Sequence, residues 1–154
     1  MILKNENDIY LYFETIEQLE PKHILDVGMF LKRIGSVSRK AMDREVLPDI
    51  RLDGIDFFPE KKFAVWESLY DSITDAQTFL ESRRQEKYDL AFFLGIEALR
   101  RKQGFAETAE KAAKCVRYLL ADQNLKQWNE ALPKSRIKEL NLEGKLYFLY
   151  DFGA

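Results

Sequence analysis

The sequence contains very few of the residues on which most metal centres and disulfide scaffolds depend. Among its 154 residues there is one cysteine, Cys115, and one histidine, His23. A single cysteine cannot form an intrachain disulfide, and a lone histidine with no cysteine beside it lacks the ligand spacing of zinc motifs. We therefore expect no disulfide and no metal site, and we expect the Cys115 thiol to be a small buried hydrophobic group.

The chain also lacks a long apolar run and a large excess of one charge. No stretch has the length and apolar character of a membrane-spanning helix, and the first residues mix apolar, basic and acidic side chains, unlike a signal peptide. The 24 basic and 26 acidic residues give a formal net charge of -2. Because nucleic-acid binding needs a clustered basic surface, we expect a cytoplasmic protein with neither a membrane nor a nucleic acid as partner.

What the sequence does contain is typical of a folded globular protein. Hydrophobic residues make up 46% of the chain and charged residues 32%. A chain of 154 residues is long enough to close one hydrophobic core and short for two. We predict a single domain that covers residues 1–154.

Helical and strand-like apolar patterns alternate along the chain. The predicted helices cover residues 8–20, 73–84 and 106–120, with a less defined helical crossover at 29–47 and a short helix at 124–131. The predicted strands cover residues 23–27, 51–55, 62–66, 88–94 and 145–150. This alternation favours an α/β fold, a three-layer Rossmann-like domain whose mostly parallel sheet has about five strands and helices on both faces. We expect little room for a further antiparallel strand pair near Tyr150.

Two strand ends carry residues suited to ligand binding. Ligands of parallel α/β sheets bind beyond the carboxyl ends of the strands, where the strand order reverses. Gly28 follows the first predicted strand, and without a Cβ it permits a tight turn and a close approach of ligand to backbone. Asp56 follows the second strand, where a carboxylate can accept hydrogen bonds from ribose hydroxyls, and Phe57 could lie against an adenine ring.

Three segments together resemble a known family. They are Ile24-Leu25-Asp26-Val27-Gly28, the run from Leu52 to Glu60 that includes Asp56, and Tyr88-Asp89-Leu90-Ala91-Phe92-Phe93-Leu94. These segments resemble the Rossmann-like S-adenosylmethionine-dependent methyltransferases, over roughly residues 8–120. The resemblance implies a methyltransferase-like function with S-adenosylmethionine as a small-molecule cofactor and an unknown methyl acceptor.

The resemblance also implies which residues bind the cofactor. Asp26 and Gly28 would border its methionine part, Asp56 would bind the ribose, and residues 67–69 would flank the adenine. The complete set of candidate cofactor-binding residues is Asp26, Gly28, Met29, Phe30, Asp56, Phe57, Glu67, Ser68, Leu69 and Gly95. No catalytic residue is identified, because the fourth strand is followed by Gly95-Ile96-Glu97 rather than by the motif of amino-directed methyltransferases.

Two other interpretations rest on the first crossover. Bulky Met29 and Phe30 follow Gly28 where the family usually has further glycines, which suggests a non-catalytic domain that keeps the scaffold and binds a partner protein. A cluster of basic residues could instead bind a phosphorylated nucleotide, or it could form a solvated helix face. That cluster consists of Lys32, Arg33, Arg39, Lys40 and Arg44.

Overall fold

The structure is a computed structural model that describes residues 2–29, 33–57, 69–83 and 86–153. Its helices are α1 (Ile2–Leu19), α2 (Arg33–Asp43), α3 (Ala76–Glu81), α4 (Ile96–Leu99) and α5 (Phe105–Cys115), with a 3₁₀ turn at Leu125–Gln127. Its strands are β1 (His23–Val27), β2 (Arg51–Asp56), β3 (Ser72–Asp75), β4 (Tyr88–Phe93), β5 (Val116–Ala121), β6 (Arg136–Leu142) and β7 (Lys145–Asp151). Among the described residues, no helix is both long enough and apolar enough to cross a membrane.

All of these strands belong to one sheet, in the order β3-β2-β1-β4-β5-β7-β6. The pairs from β3 to β5 are parallel, whereas β7 pairs antiparallel with β5 and with β6. The mostly parallel α/β fold predicted from the sequence is confirmed. The predicted strand number is wrong, since the described sheet has seven strands rather than about five.

Two of the three strands that were not predicted lie where the helical pattern is misleading. The residues predicted as the start of a helix at 73 form β3, and α3 begins only at Ala76, where the Asp75 carboxylate accepts a hydrogen bond from the Thr78 amide (2.8 Å). The predicted helix 106–120 ends at Cys115, and β5 follows directly. Pairing on both sides, with β4 and β7, outweighs the helical spacing of Val116 and Leu120.

The chain also completes an antiparallel pair for which little room was expected. β6 and β7 form a hairpin whose two-residue turn, Glu143 and Gly144, has positive φ at both positions (52° and 86°). Such turns match the twist of the flanking strands. The short helix predicted at 124–131 is reduced to the 3₁₀ turn, and the strand predicted at 62–66 lies outside the described residues.

Two apolar layers sandwich the sheet and position its ends. On one face, α1 and α2 cover side chains such as Ile24, Leu52 and Phe92. On the other face, α3 and α5 pack together over side chains such as Leu25 and Phe93. Because β1 lies between β2 and β4, the strand order reverses beside it, and the residues after β1 and β2 share the carboxyl edge of the sheet.

Candidate functional site

The turn after β1 lies directly against the end of β2. The Gly28 amide donates a hydrogen bond to the Ile55 carbonyl (2.7 Å), and Gly28 has a φ of 98°, in the region that favours glycine. Asp56, the last residue of β2, is fully buried. Gly28 and Asp56, two of the residues that the sequence predicts for the cofactor site, are therefore adjacent at the carboxyl edge.

Leu99 covers the Gly28 turn. A Cβ placed on Gly28 would lie 2.5 Å from Leu99 Cδ1 and 2.7 Å from Cδ2. Leu99 is the last residue of α4, the short helix after β4, and its side chain is completely buried. The glycine is thus required for packing of the protein against itself, because Leu99 fills the space directly over it.

Met29 fills a second space beside the turn. Its side chain is buried, and a Cβ added to Gly54 in the middle of β2 would stand 2.3 Å from the Met29 sulfur. Met29 has a φ of 45°, which is uncommon for a residue with a side chain. Met29 therefore packs inward against β2.

Asp26 is a buried acid held by a tyrosine. The Tyr70 hydroxyl donates a hydrogen bond to Asp26 Oδ2 (2.6 Å). Burial raises the pKa of Asp26 to about 6, and the hydrogen bond from Tyr70 offsets only part of this effect. The pKa of Tyr70 is itself raised by burial, then by the charge of Asp26 and to a smaller extent by that of Asp56. Negative charge is therefore concentrated under the carboxyl edge.

This buried acid predicts a pH dependence of stability. Because the pKa of Asp26 rises from 3.8 to about 6 on folding, the folded state holds the proton more tightly, and the stabilisation is lost as pH rises through 6. We expect this group to lower the free energy of unfolding by about 1.4 kcal/mol between pH 5 and pH 8. Urea unfolding at pH 5 and pH 8 should show this fall in the free energy of unfolding for wild type but not for Asp26→Asn.

The exposed acid Asp49 provides the control for that measurement. Asp49→Asn should keep the wild-type pH dependence. Equal slopes of stability against pH for wild type and Asp26→Asn would contradict the assignment of the titration to Asp26.

Three other candidate residues have partners within the protein. The Gly95 amide donates to the Asp122 carboxylate (2.8 Å). Phe57 is half-buried, and its ring lies 6.5 Å from that of Phe105. The Leu69 carbonyl accepts hydrogen bonds from the Arg39 guanidinium (both 3.3 Å). The ligand roles of Gly95, Phe57 and Leu69 stay predictions.

Some predicted residues lie outside the described part of the chain. These are Phe30, Lys32, Glu67 and Ser68. Of the basic cluster on the first crossover, Arg39 is used by the Leu69 carbonyl and by Asp71, whose carboxylate is 3.6 Å away. Lys40 and Arg44 are exposed. The described part of the cluster thus resembles a solvated helix face more than a phosphate site.

The residues that the sequence reasoning missed are Leu99, Tyr70 and Asp122. Leu99 and Tyr70 contact the predicted turn and acid from segments 71 and 44 residues away. Asp122 follows β5, a strand that the helical spacing concealed, and its carboxylate accepts from the amides of Gly95 and Ile96. The sequence signal for Asp122 was its position directly after a strand, and this signal can be used only once β5 is recognised as a strand.

The fold has counterparts among solved structures. The methyltransferase domain of the bacterial protein CtHen1-CN has a TM-score of 0.65 at 9% identity, covering 96% of this chain and 98% of that one. An SAH-bound methyltransferase from Podospora anserina has a TM-score of 0.58 at 13% identity, covering 99% and 79%. The N-methyltransferase NodS from Bradyrhizobium japonicum has a TM-score of 0.51 at 15% identity, covering 96% and 93%.

The sequence comparisons add no closer relative. No protein-family model matches the chain, and no curated protein matches it. The structural likeness nevertheless extends over nearly the whole chain, including the antiparallel pair that the sequence did not predict. The chain has the Rossmann-like methyltransferase fold.

Proposed function

We propose that this domain binds S-adenosylmethionine at the carboxyl edge of its sheet and acts as a methyltransferase with an unknown acceptor. The observation that carries the proposal is the adjacency of Asp56 and the Gly28 turn at the point where the strand order reverses. The fold supports the proposal, because sites of open α/β sheets form at this place whatever chemistry they perform.

The residue types suit the cofactor at its ribose end, and the fully buried Asp56 must become accessible for the ribose to reach it. Asp56 ends β2 and supplies a carboxylate, the group that accepts hydrogen bonds from ribose hydroxyls in sites of this kind. Asp26 and Asp56 together give the edge a negative potential, which suits a ligand that carries a sulfonium and an ammonium group. At the methionine end, seating the ligand over Gly28 requires Leu99 to move aside.

The bound cofactor would supply an electrophilic methyl group on a positively charged sulfur. The protein's part is to bind and to orient, since such a transfer depends mainly on proximity, alignment and exclusion of water. Asp56 would hold the ribose, Gly28 and Gly95 would offer backbone beside the methionine part, and Leu69 would flank the adenine. None of these roles needs a conspicuous acid or base at the site.

Binding of S-adenosylhomocysteine tests the proposal directly. At 100 times its dissociation constant a ligand adds about 2.7 kcal/mol to stability, and the melting temperature should rise by about 5–10 °C. Differential scanning calorimetry with S-adenosylhomocysteine, and with adenosine for comparison, measures this rise. The absence of any rise at millimolar S-adenosylhomocysteine would overturn the proposal.

The packing over Gly28 favours a second candidate, a non-catalytic domain that retains the scaffold and binds a partner protein. Leu99 and Met29 fill the spaces beside Gly28 and Gly54 with side chains of the protein itself. A domain that never binds the cofactor would keep these contacts in every state. Its signature is an unchanged melting temperature with S-adenosylhomocysteine.

A further inference from the structure

A second polar cluster lies at the opposite, amino-terminal edge of the sheet. It consists of His23 at the start of β1, Asp53 in β2 and Glu86 just before β4. One nitrogen of His23, one oxygen of Asp53 and one oxygen of Glu86 all lie within 4.8 Å of one another. Within the described residues, the cluster shares no residue with the carboxyl-edge site.

Each of these side chains is held in place by neighbours. His23 Nε2 and Asp53 Oδ2 are 2.7 Å apart, and the His23 ring lies 4.2 Å from the Tyr88 ring. The His23 backbone amide donates to the carboxylate of Asp89 (3.0 Å), which fixes the start of β1. The Tyr88 hydroxyl donates to Glu86 Oε2 (3.3 Å). Neighbouring groups therefore bring the imidazole and both carboxylates close to one point.

The charge at this point favours a cation. The Asp53 side chain is only 3% exposed, whereas Arg51, whose Nε lies 3.3 Å from Asp53 Oδ1, is 53% exposed and screened by solvent. At Asp53 the exposed Arg51 stands against two carboxylates, while Lys111 and Lys114 lie on the wall of the adjoining cavity. The Asp53–Arg51 contact leaves Oδ2 directed at His23.

The geometry points to a divalent transition-metal site formed by His23 Nε2, Asp53 Oδ2 and a Glu86 carboxylate oxygen. Imidazole with carboxylates is the donor set of Zn²⁺ and its neighbours rather than of Mg²⁺. Ligand atoms around a tetrahedral Zn²⁺ stand about 3.3 Å apart, so the His23–Asp53 contact widens slightly and the Glu86 side chain moves in. The imidazole proton then resides on Nδ1, because Nε2 binds the ion.

An adjoining cavity gives the site access to solvent. Its volume is about 380 Å³, and Arg51, Glu86 and Tyr88 form part of its wall. The remainder is lined by Phe79, Lys111, Lys114, Cys115 and several hydroxyl side chains, on the face of the sheet covered by α3 and α5. Three protein ligands leave a coordination position for water or a small ligand that enters through this cavity.

Isothermal titration of the untagged full chain with Zn²⁺ tests this site. We expect one ion per chain for wild type, and at least about tenfold weaker binding for Glu86→Gln and for Asp53→Asn. Glu86→Gln is the primary variant because Glu86 is half-buried and its loss leaves the core untouched. Mg²⁺ at the same concentration should bind far more weakly than Zn²⁺.

Two matched variants show whether the ion binds elsewhere on the chain. Asp56→Asn alters a buried acid of the same strand at its other end, and Cys115→Ser removes the thiol of the cavity, so both should bind Zn²⁺ like wild type. Titration with Co²⁺ should give a visible spectrum without a thiolate charge-transfer band. Absence of wild-type binding, wild-type affinity in Glu86→Gln, or loss of binding in Cys115→Ser would each overturn the assignment.

Discussion

The Gly28→Ala variant is expected to lose about 3 kcal/mol of its free energy of unfolding, from backbone strain and overpacking together. The backbone φ of 98° is one that alanine rarely adopts, and the new methyl group would stand 2.5 Å from Leu99 Cδ1. Thermal unfolding followed by circular dichroism should show a melting temperature lower by about 6–12 °C. Few other single substitutions in the described chain combine both penalties.

Gly144 offers a matched control for this variant. Its φ of 86° is similar, but a Cβ placed there would meet no atom within 4 Å. Gly144→Ala should therefore cost only the backbone strain, about 1–2 kcal/mol. The difference between the two variants isolates the contact with Leu99.

A double-mutant cycle separates the two penalties at Gly28. In a Leu99→Ala background the added methyl group no longer meets the leucine, so Gly28→Ala should cost about 1–2 kcal/mol less than in wild type. If Gly28→Ala and Gly144→Ala destabilise equally in wild type, Leu99 does not pack on the turn in solution. That outcome would mean that the Gly28 turn is open to a ligand without rearrangement.

The central strands were predictable because their sequences leave few alternatives. The prediction for β1 (His23–Val27) matches its bounds, since a short apolar run stands between Pro21 and Gly28. β4 was predicted to within one residue for the same reason. The strand β5 was hidden because Val116 and Leu120 continue the helical spacing of α5, and only pairing with β4 and β7 decides against a helix.

The sites show the same division between local and long-range information. Asp56 and Gly28 are recognisable because strand ends are local features. The Tyr70 hydroxyl donates a hydrogen bond to Asp26 from a position 44 residues further along the chain, and only the packing of the fold brings the two side chains together. His23 was expected to have no metal role because no second histidine or cysteine is present, yet the parallel register places Asp53 beside it. The pattern of apolar and polar residues does not tell which residues of two neighbouring strands lie beside each other.

The Asp56→Asn variant is expected to bind S-adenosylhomocysteine about 10–100-fold more weakly than wild type. Hydrogen bonds to a charged acceptor contribute about 1.5–3 kcal/mol each, and 1.4 kcal/mol corresponds to a factor of ten in affinity. An amide retains the shape of the carboxylate but can accept only one of the two ribose hydroxyl hydrogen bonds in the same geometry. Isothermal titration measures the change once wild-type binding is established.

Asp53→Asn is the control, because Asp53 is also buried in β2 but contacts His23 at the amino-terminal edge. It should bind S-adenosylhomocysteine like wild type while losing Zn²⁺ affinity, and Asp56→Asn should do the reverse. The two proposals can therefore fail separately.

A ligand without ribose hydroxyls completes the test of Asp56. Wild type should bind a 2′,3′-dideoxy analogue at least as weakly as Asp56→Asn binds S-adenosylhomocysteine, and the variant should discriminate between the two ligands less than wild type does. If wild type binds S-adenosylhomocysteine but Asp56→Asn binds it equally well, the ribose lies elsewhere on the carboxyl edge. In that case Asp56 does not bind the ribose, and the adjacency of Asp56 and the Gly28 turn no longer supports a cofactor role for this residue.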